Sequence, residues 1–311
     1  MLLLLLLASP AAAKDLLVGP GHPYDRPSAA IRAAQPGDQV LIEPGEYYDC
    51  AIWTTPGLTI AGRAPGVVLT DTTCRGKAIL VIGGDHATLR DLTLARARVP
   101  DGNGAGVRLE APGLILDRVT FRDDQVGLLS SAAGGAIIAT ECRFEDGGVG
   151  GDRPTWAILA GGSDQLLVRG SAFTGMKGGA VSSSAADTSL IGNSFIGPGT
   201  LPAVVAGGRL TLVGNTFEIG AGAAGRPGVV LATGPDGPVL RGNRLLSARP
   251  MTLLLDWSGG DPVLDGNQVG PNDTEASTSG AWRSRASGAA HGMADGLRGL
   301  AGRAKRFVQG Q

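Results

Sequence analysis

Runs of aliphatic and β-branched residues, short and separated by glycine, recur along the chain from about residue 16 to about residue 271. Gly106-Val107-Arg108-Leu109, Leu114-Ile115-Leu116, Ala203-Val204-Val205 and Val229-Val230-Leu231 are examples. Such runs read as strands, and the Gly-Gly, Asp-Gly and Pro-Gly pairs between them read as turns. A bulky residue marks a fixed phase in this pattern. Phe121, Phe144, Phe173, Phe195 and Phe217 share one local context, which continues at Leu245 and Val269 and extends back to Leu94. The spacings lie between 22 and 29 residues. Helical repeats need long faces of 3.6-residue period, which are absent here. Short strands, a nearly constant repeat and turns of variable length predict a parallel β-helix. Equal phases on successive coils then stack about 4.8 Å apart, and the bulky anchors form an internal column.

Two residues before the anchors stand Cys142, Ser171, Asn193, Asn215, Asn243 and Asn267, and each of the four asparagines follows a glycine. This predicts a tight corner whose asparagine amides bond from coil to coil, a structural role. The stretch Arg26 to Ala34 reads as a short helix ended by Gln35-Pro36-Gly37-Asp38, with a strand at Gln39 to Ile42. A helix there would cap the open end of the stack. Met1 is followed by Leu2 to Leu7, and Ala11-Ala12-Ala13 precedes Lys14. This is read as a signal peptide, residues 1–13, rather than a buried N-terminal strand, and it is too short to span a bilayer. The mature protein is therefore expected in the periplasm or outside the cell.

The stretch "AIRAAQPGDQVLIEPGEYYD", with the "GNxF" coils that follow it, resembles the right-handed parallel β-helix proteins of the pectate-lyase-like superfold. The resemblance covers residues 16 to about 271. It implies a single-stranded right-handed β-helix over 14–271 in an extracytoplasmic protein that acts on or binds a polysaccharide. In lyases of this superfold, carboxylates hold Ca²⁺ beside a uronate and an Arg or Lys serves as base. Ca²⁺ is thus an implied cofactor, with no residue singled out as its ligand. The signatures associated with β-helix polygalacturonases, Asn-Thr-Asp, Gly-His-Gly and Arg-Ile-Lys, are absent.

Composition narrows the classes. The 51 glycines suit a turn-rich solenoid, and a net charge of −1 argues against a nucleic-acid partner. No stretch is long and apolar enough for a transmembrane segment. Cys50 and Cys74 lie 24 residues apart, close to one coil, which favours a disulfide over two free thiols. Cys142 reads as a buried thiol. The three histidines are scattered and form no zinc pattern with the cysteines.

Chemistry is harder to place. Alternation assigns Arg108, Leu129, Leu159, Ser182, Val205, Val230 and Leu254 to the outside of one sheet. A polysaccharide groove would carry acids, bases and aromatic platforms, so this aliphatic column argues against a conventional lyase or hydrolase site on that face. Loops of neighbouring coils offer a second cluster. Arg108, Asp123, Asp124 and Lys177 are the candidate catalytic residues, and Asp101, Asn103, Asp152, Arg153 and Trp156 the candidate substrate contacts. Stacked together they would give a base with a metal or a pair of carboxylates; the simpler reading is solvated turns. Arg90 with Asp117, and Arg241 with Asp265, read as cross-strand ion pairs. Trp53 reads equally as packing or as a sugar platform.

Residues 272–289 read as a Ser/Thr/Gly-rich linker. Residues 290–311 read as a weakly amphipathic basic helix, either partly disordered, covering the last coil, or touching an anionic surface. Two functions follow from the whole: a secreted carbohydrate-active enzyme, of lyase type before hydrolase, or a non-catalytic envelope module whose aliphatic column docks a partner.

Overall fold

A computed structural model describes residues 13–150, 153–197, 199–220 and 228–278. The chain winds as a right-handed parallel β-helix of about ten coils. Three parallel sheets of eleven, ten and nine strands run its length. A typical coil passes from the eleven-stranded sheet (Leu114–Asp117) round a two-residue corner to the nine-stranded sheet (Thr120–Arg122). It then crosses a longer loop to the ten-stranded sheet (Val126–Ser130).

The anchors stack as expected. Phe121, Phe144, Phe173, Phe195 and Phe217 are register partners on consecutive coils, flanked by Leu94 and Leu245. Their ring centroids lie 4.7 to 4.9 Å apart with nearly parallel planes. The strands of the ten-stranded sheet complement them. A Cβ on Gly106 would meet the Phe121 ring at 2.7 Å, and one on Gly127 the Phe144 ring at 2.9 Å. The ten-stranded-sheet segment before each Phe anchor carries Gly or Ala in this phase (Gly106, Gly127, Ala157, Ala180, Ala203), and the segment before Leu245 or Val269 carries Val229 or Leu253 there. Side-chain volume is thus conserved across the coil, as a close-packed interior requires.

At the two-residue corner the amide oxygen of Asn193 accepts from Ser171 N–H. Each of Asn215, Asn243 and Asn267 likewise accepts from the backbone N–H of the preceding asparagine at 2.9 to 3.0 Å. Each amide NH₂ donates to a carbonyl: Val168, Leu190, Leu212 and Leu240. Cys142 occupies the same phase, buried; burial pushes its thiol up to about 12.

Four features depart from the sequence reading. Val230 and Leu254 point inward; Leu231 and Leu255 take the outer phase, because Val205 pairs with Leu231 and that with Leu255. The outer column is itself buried. Val81, Leu129, Leu159, Leu231 and Leu255 form a second apolar layer with Trp156 and Leu201, against which Trp257 packs. It is therefore no open docking face. Arg90 and Asp117 are register partners, as are Arg241 and Asp265, but neither couple forms an ion pair. Asp117 turns instead to Arg118. Thr274–Thr278, inside the expected linker, is a strand paired with Thr252–Asp256.

The one helix among the described residues, Pro27–Ala33, packs against Asp15–Val18, Gln39–Ile42 and Ala51–Trp53. Trp53 is core packing. Cys50 and Cys74 form a disulfide. Residues 1–12, with nearly all of the expected signal peptide, and 290–311, the expected tail helix, lie outside the described residues.

Candidate functional site

Both edges of the nine-stranded sheet turn through a residue in the left-handed region, and the identity of that residue changes along the molecule. Two positions after the anchor stand Asp71, Arg96, Asp123 and Asp146, with φ between 54° and 60°; Gly175 and Gly197 follow. Three positions before the anchor stand Asp91, Arg118 and Glu141, followed only by glycines. The backbone N–H of each corner donates to the next coil, which keeps the rungs in line. Charged side chains therefore leave the first coils at fixed intervals of about 4.8 Å.

The row from Asp71 to Asp146 carries a run of exposed ion pairs. Arg96 donates to both oxygens of Asp71, at 2.6 to 3.0 Å, and to Glu46 at 3.0 Å. Arg98 reaches down one coil to the Asp123 carboxylate at 2.6 Å. Beside them Arg122 faces Glu145 at 3.4 Å. Hydrogen bonds from Arg96 hold the Asp71 carboxyl below its usual range. Tyr48 lies at the head of the row, 65% exposed. Glu46 and, more weakly, Asp71 raise its phenol. Four rungs span roughly 15 Å. The surface offers an aromatic face beside alternating carboxylates and guanidiniums, the groups that stack on and hydrogen-bond to a hydroxyl-rich polymer.

The candidate residues from the sequence do not assemble as one site. Asp123 is on the row, paired with Arg98. Asp124 is buried: one oxygen accepts from Ala97 N–H at 2.8 Å and the other has no partner. Burial holds its carboxyl well above the usual range. It cannot touch a polymer from there. Lys177 is exposed in the next loop but one. Trp156 belongs to the buried outer layer, across Gly179, so it is no platform. Arg153 sits in a small hairpin with Gly150, and Asp152 lies outside the described residues.

Arg108 is the one charge in the aliphatic column, half-buried, with no partner for its Nε. Burial lowers its pKa, opposed by Glu110 and Asp101. Glu110 is itself held by Lys77 at 2.5 Å. Asp101 is exposed and accepts weakly from Asn103 N–H at 3.4 Å. Among the described residues no three carboxylates, histidines or cysteines are grouped to hold a metal. The loop carboxylates do not fit Ca²⁺, since Asp123 is committed to Arg98 and Asp124 is enclosed. Sequence reasoning missed Glu46, Tyr48, Asp71, Arg96 and Arg98. The signal was present, because a charged residue two after each early anchor is as periodic as the anchors.

No protein-family model and no curated protein matches the chain. Solved structures do. The PL6 family alginate lyase AlyGC aligns at 14% identity with a TM-score of 0.55, over 86% of this chain and 41% of its own. The Geobacillus virus E2 protein ORF18 aligns at 12% identity with a TM-score of 0.55, over 81% of this chain and 58% of its own. The chain thus spans about half the length of these structures. What it shares with them is the fold, a right-handed parallel β-helix.

Proposed function

We propose that this chain is an extracytoplasmic β-helix that binds a polysaccharide along the row from Tyr48 to Asp146, holding the polymer rather than cleaving it. The observation that carries this reading is the line Tyr48, Glu46–Arg96–Asp71 and Arg98–Asp123, exposed on successive coils of a rigid support. Arginines and carboxylates at this spacing donate to and accept from hydroxyls without being free to transfer protons, because each is already paired. The alginate lyase among the structural neighbours supports a polysaccharide as the ligand class. The Cys50–Cys74 bridge and the leucine-rich start support an oxidising compartment. Cleavage by β-elimination would need a free base, for which Arg108, with its buried Nε unpartnered, and the exposed Lys177 are the candidates.

The test is affinity electrophoresis and calorimetry of residues 14–311 against acidic and neutral polysaccharides, with ultraviolet detection of unsaturated uronate in parallel. Binding weakened roughly tenfold by Tyr48→Ala or Arg96→Ala, with no absorbance change, is the expected result. An absorbance rise lost in Arg108→Ala would replace binding by lyase chemistry. Binding indifferent to both row substitutions would remove the proposed surface.

A further inference from the structure

The loop of residues 96–104, between Thr93–Ala95 and Ala105–Leu109, has few bonds of its own to hold it down. Arg96 and Thr73 tie its first residues to the preceding coils, and the next coil holds the rest. Gln125 accepts from Val99 N–H at 2.9 Å and from Gly104 N–H at 2.8 Å, and donates to the Val99 carbonyl. Asp124 accepts from Ala97 N–H through Oδ1. Its Oδ2 is buried without a partner and faces Gly106, where even a Cβ would come within 3.0 Å. An unpaired neutral hydroxyl costs a few kcal/mol in such a place, whereas a bare charge costs far more.

We propose that Asp124 is a protonated latch: its neutral carboxyl fastens the loop of residues 96–104 to the next coil, and its ionisation releases that loop. An ionised Asp124 can be hydrated only if the loop lifts from it. The charged groups acting on the carboxyl are Arg98, on the loop, which favours ionisation, and Asp123, which opposes it. From the remaining packed elements, Gly106 faces its Oδ2 and Gly147 lies against the Asp124 backbone, neither of them ionisable. The loop carries Arg98, the partner of Asp123, so opening cuts the polar row at its middle. That consequence rests on the binding proposal; the latch does not.

One proton is released per opening, so the opening equilibrium rises by up to about tenfold per pH unit until the folded-state pKa is passed. Amide exchange at Ala97, Val99 and Gly104 reads this directly, with Asp124→Asn at each pH between about 5 and about 9 as the reference. The asparagine keeps the acceptor for Ala97 and cannot ionise. Protection at these three amides should fall with pH in the wild type relative to the variant. Wild-type protection that tracks Asp124→Asn throughout overturns the latch. Should the variant fail to fold, the infrared carbonyl band of a protonated carboxylic acid in the wild type at neutral pH decides alone; its absence overturns the proposal. Neither readout depends on polysaccharide, so a failed latch and a failed binding surface are told apart.

Discussion

The first coils and the last coils solve the same corner with different residues. Up to Glu141 the left-handed position between the eleven- and nine-stranded sheets is Asp91, Arg118 or Glu141, and the next residue inward is Leu92, Val119 or Cys142. From Gly170 onward the left-handed position is glycine, and the inward residue is Ser171 or an asparagine. The second half takes the conformation where it is least costly and closes the corner with side-chain hydrogen bonds. The first half accepts backbone strain of about 1 kcal/mol or more per corner and closes it with apolar packing. In return it places charge on solvent at regular intervals, as in the bidentate pair of Arg118 with Asp91 at 2.7 and 2.9 Å. Exposed pairs of this kind stabilise little, so the strained half is where a function for the charges is to be sought.

Exchanging the two corner chemistries should break the comparison most severely. Val119→Asn gives up apolar packing between the buried Leu92 and Cys142, which bring no side-chain amide, and leaves only backbone groups to pair with the new amide. Asn215→Val strands Asn193 and Asn243 and leaves the Leu190 carbonyl without its donor. Each substitution is expected to cost about 3 kcal/mol, from lost packing or unpaired buried groups, measured by urea denaturation. If Val119→Asn is tolerated within about 0.5 kcal/mol, the apolar corner is not the alternative described above.

A smaller effect follows from the latch between the strained rungs. Asp124 has a folded-state pKa above its unfolded one, so the native state binds more protons between the two values. Stability is then full below the unfolded value, near 3.8, and falls as pH rises toward the folded pKa. The slope is at most about 1.4 kcal/mol per pH unit. Asp124→Asn should remove that slope and exceed the wild type in stability at neutral pH and above. Denaturation midpoints that fall in parallel with pH for both proteins would refute this assignment.

The sequence spoke clearly wherever a residue had to recur. Phe anchors and asparagines face the interior, where each coil meets the one before it in the same phase, so periodicity alone recovered the fold, the corner and the phase of Cys142. The polar row was equally periodic, at two residues past each anchor, but Asp-Asp and Asp-Gly pairs also make ordinary turns, and that reading obscured it. Outer positions depend on register, where a one-residue shift reverses the face. That is how Val230 and Leu254 took the places of Leu231 and Leu255. Exposure depends on what lies over a sheet, which alternation does not encode; hence the apolar column and Trp156 proved buried.

The finest test of the comparison is the backbone strain itself, because the last coils allow it to be separated from crowding. A Cβ added at Gly192, Gly214, Gly242 or Gly266 meets no atom within 4 Å. By contrast, one added at Gly208 would sit 2.0 Å from the Ala185 carbonyl oxygen. Gly214→Ala therefore adds left-handed strain and nothing else, and should cost about 1 kcal/mol. The reverse change, Glu141→Gly, should recover a similar amount, since the exposed Glu141 side chain forms no ion pair among the described residues. Paired denaturation curves decide the matter. Equal and opposite shifts would mean that the early coils retain charged corners at a measurable cost in stability. A neutral Glu141→Gly would mean that the corner tolerates a side chain freely, and the charged rungs would then need no function to account for them.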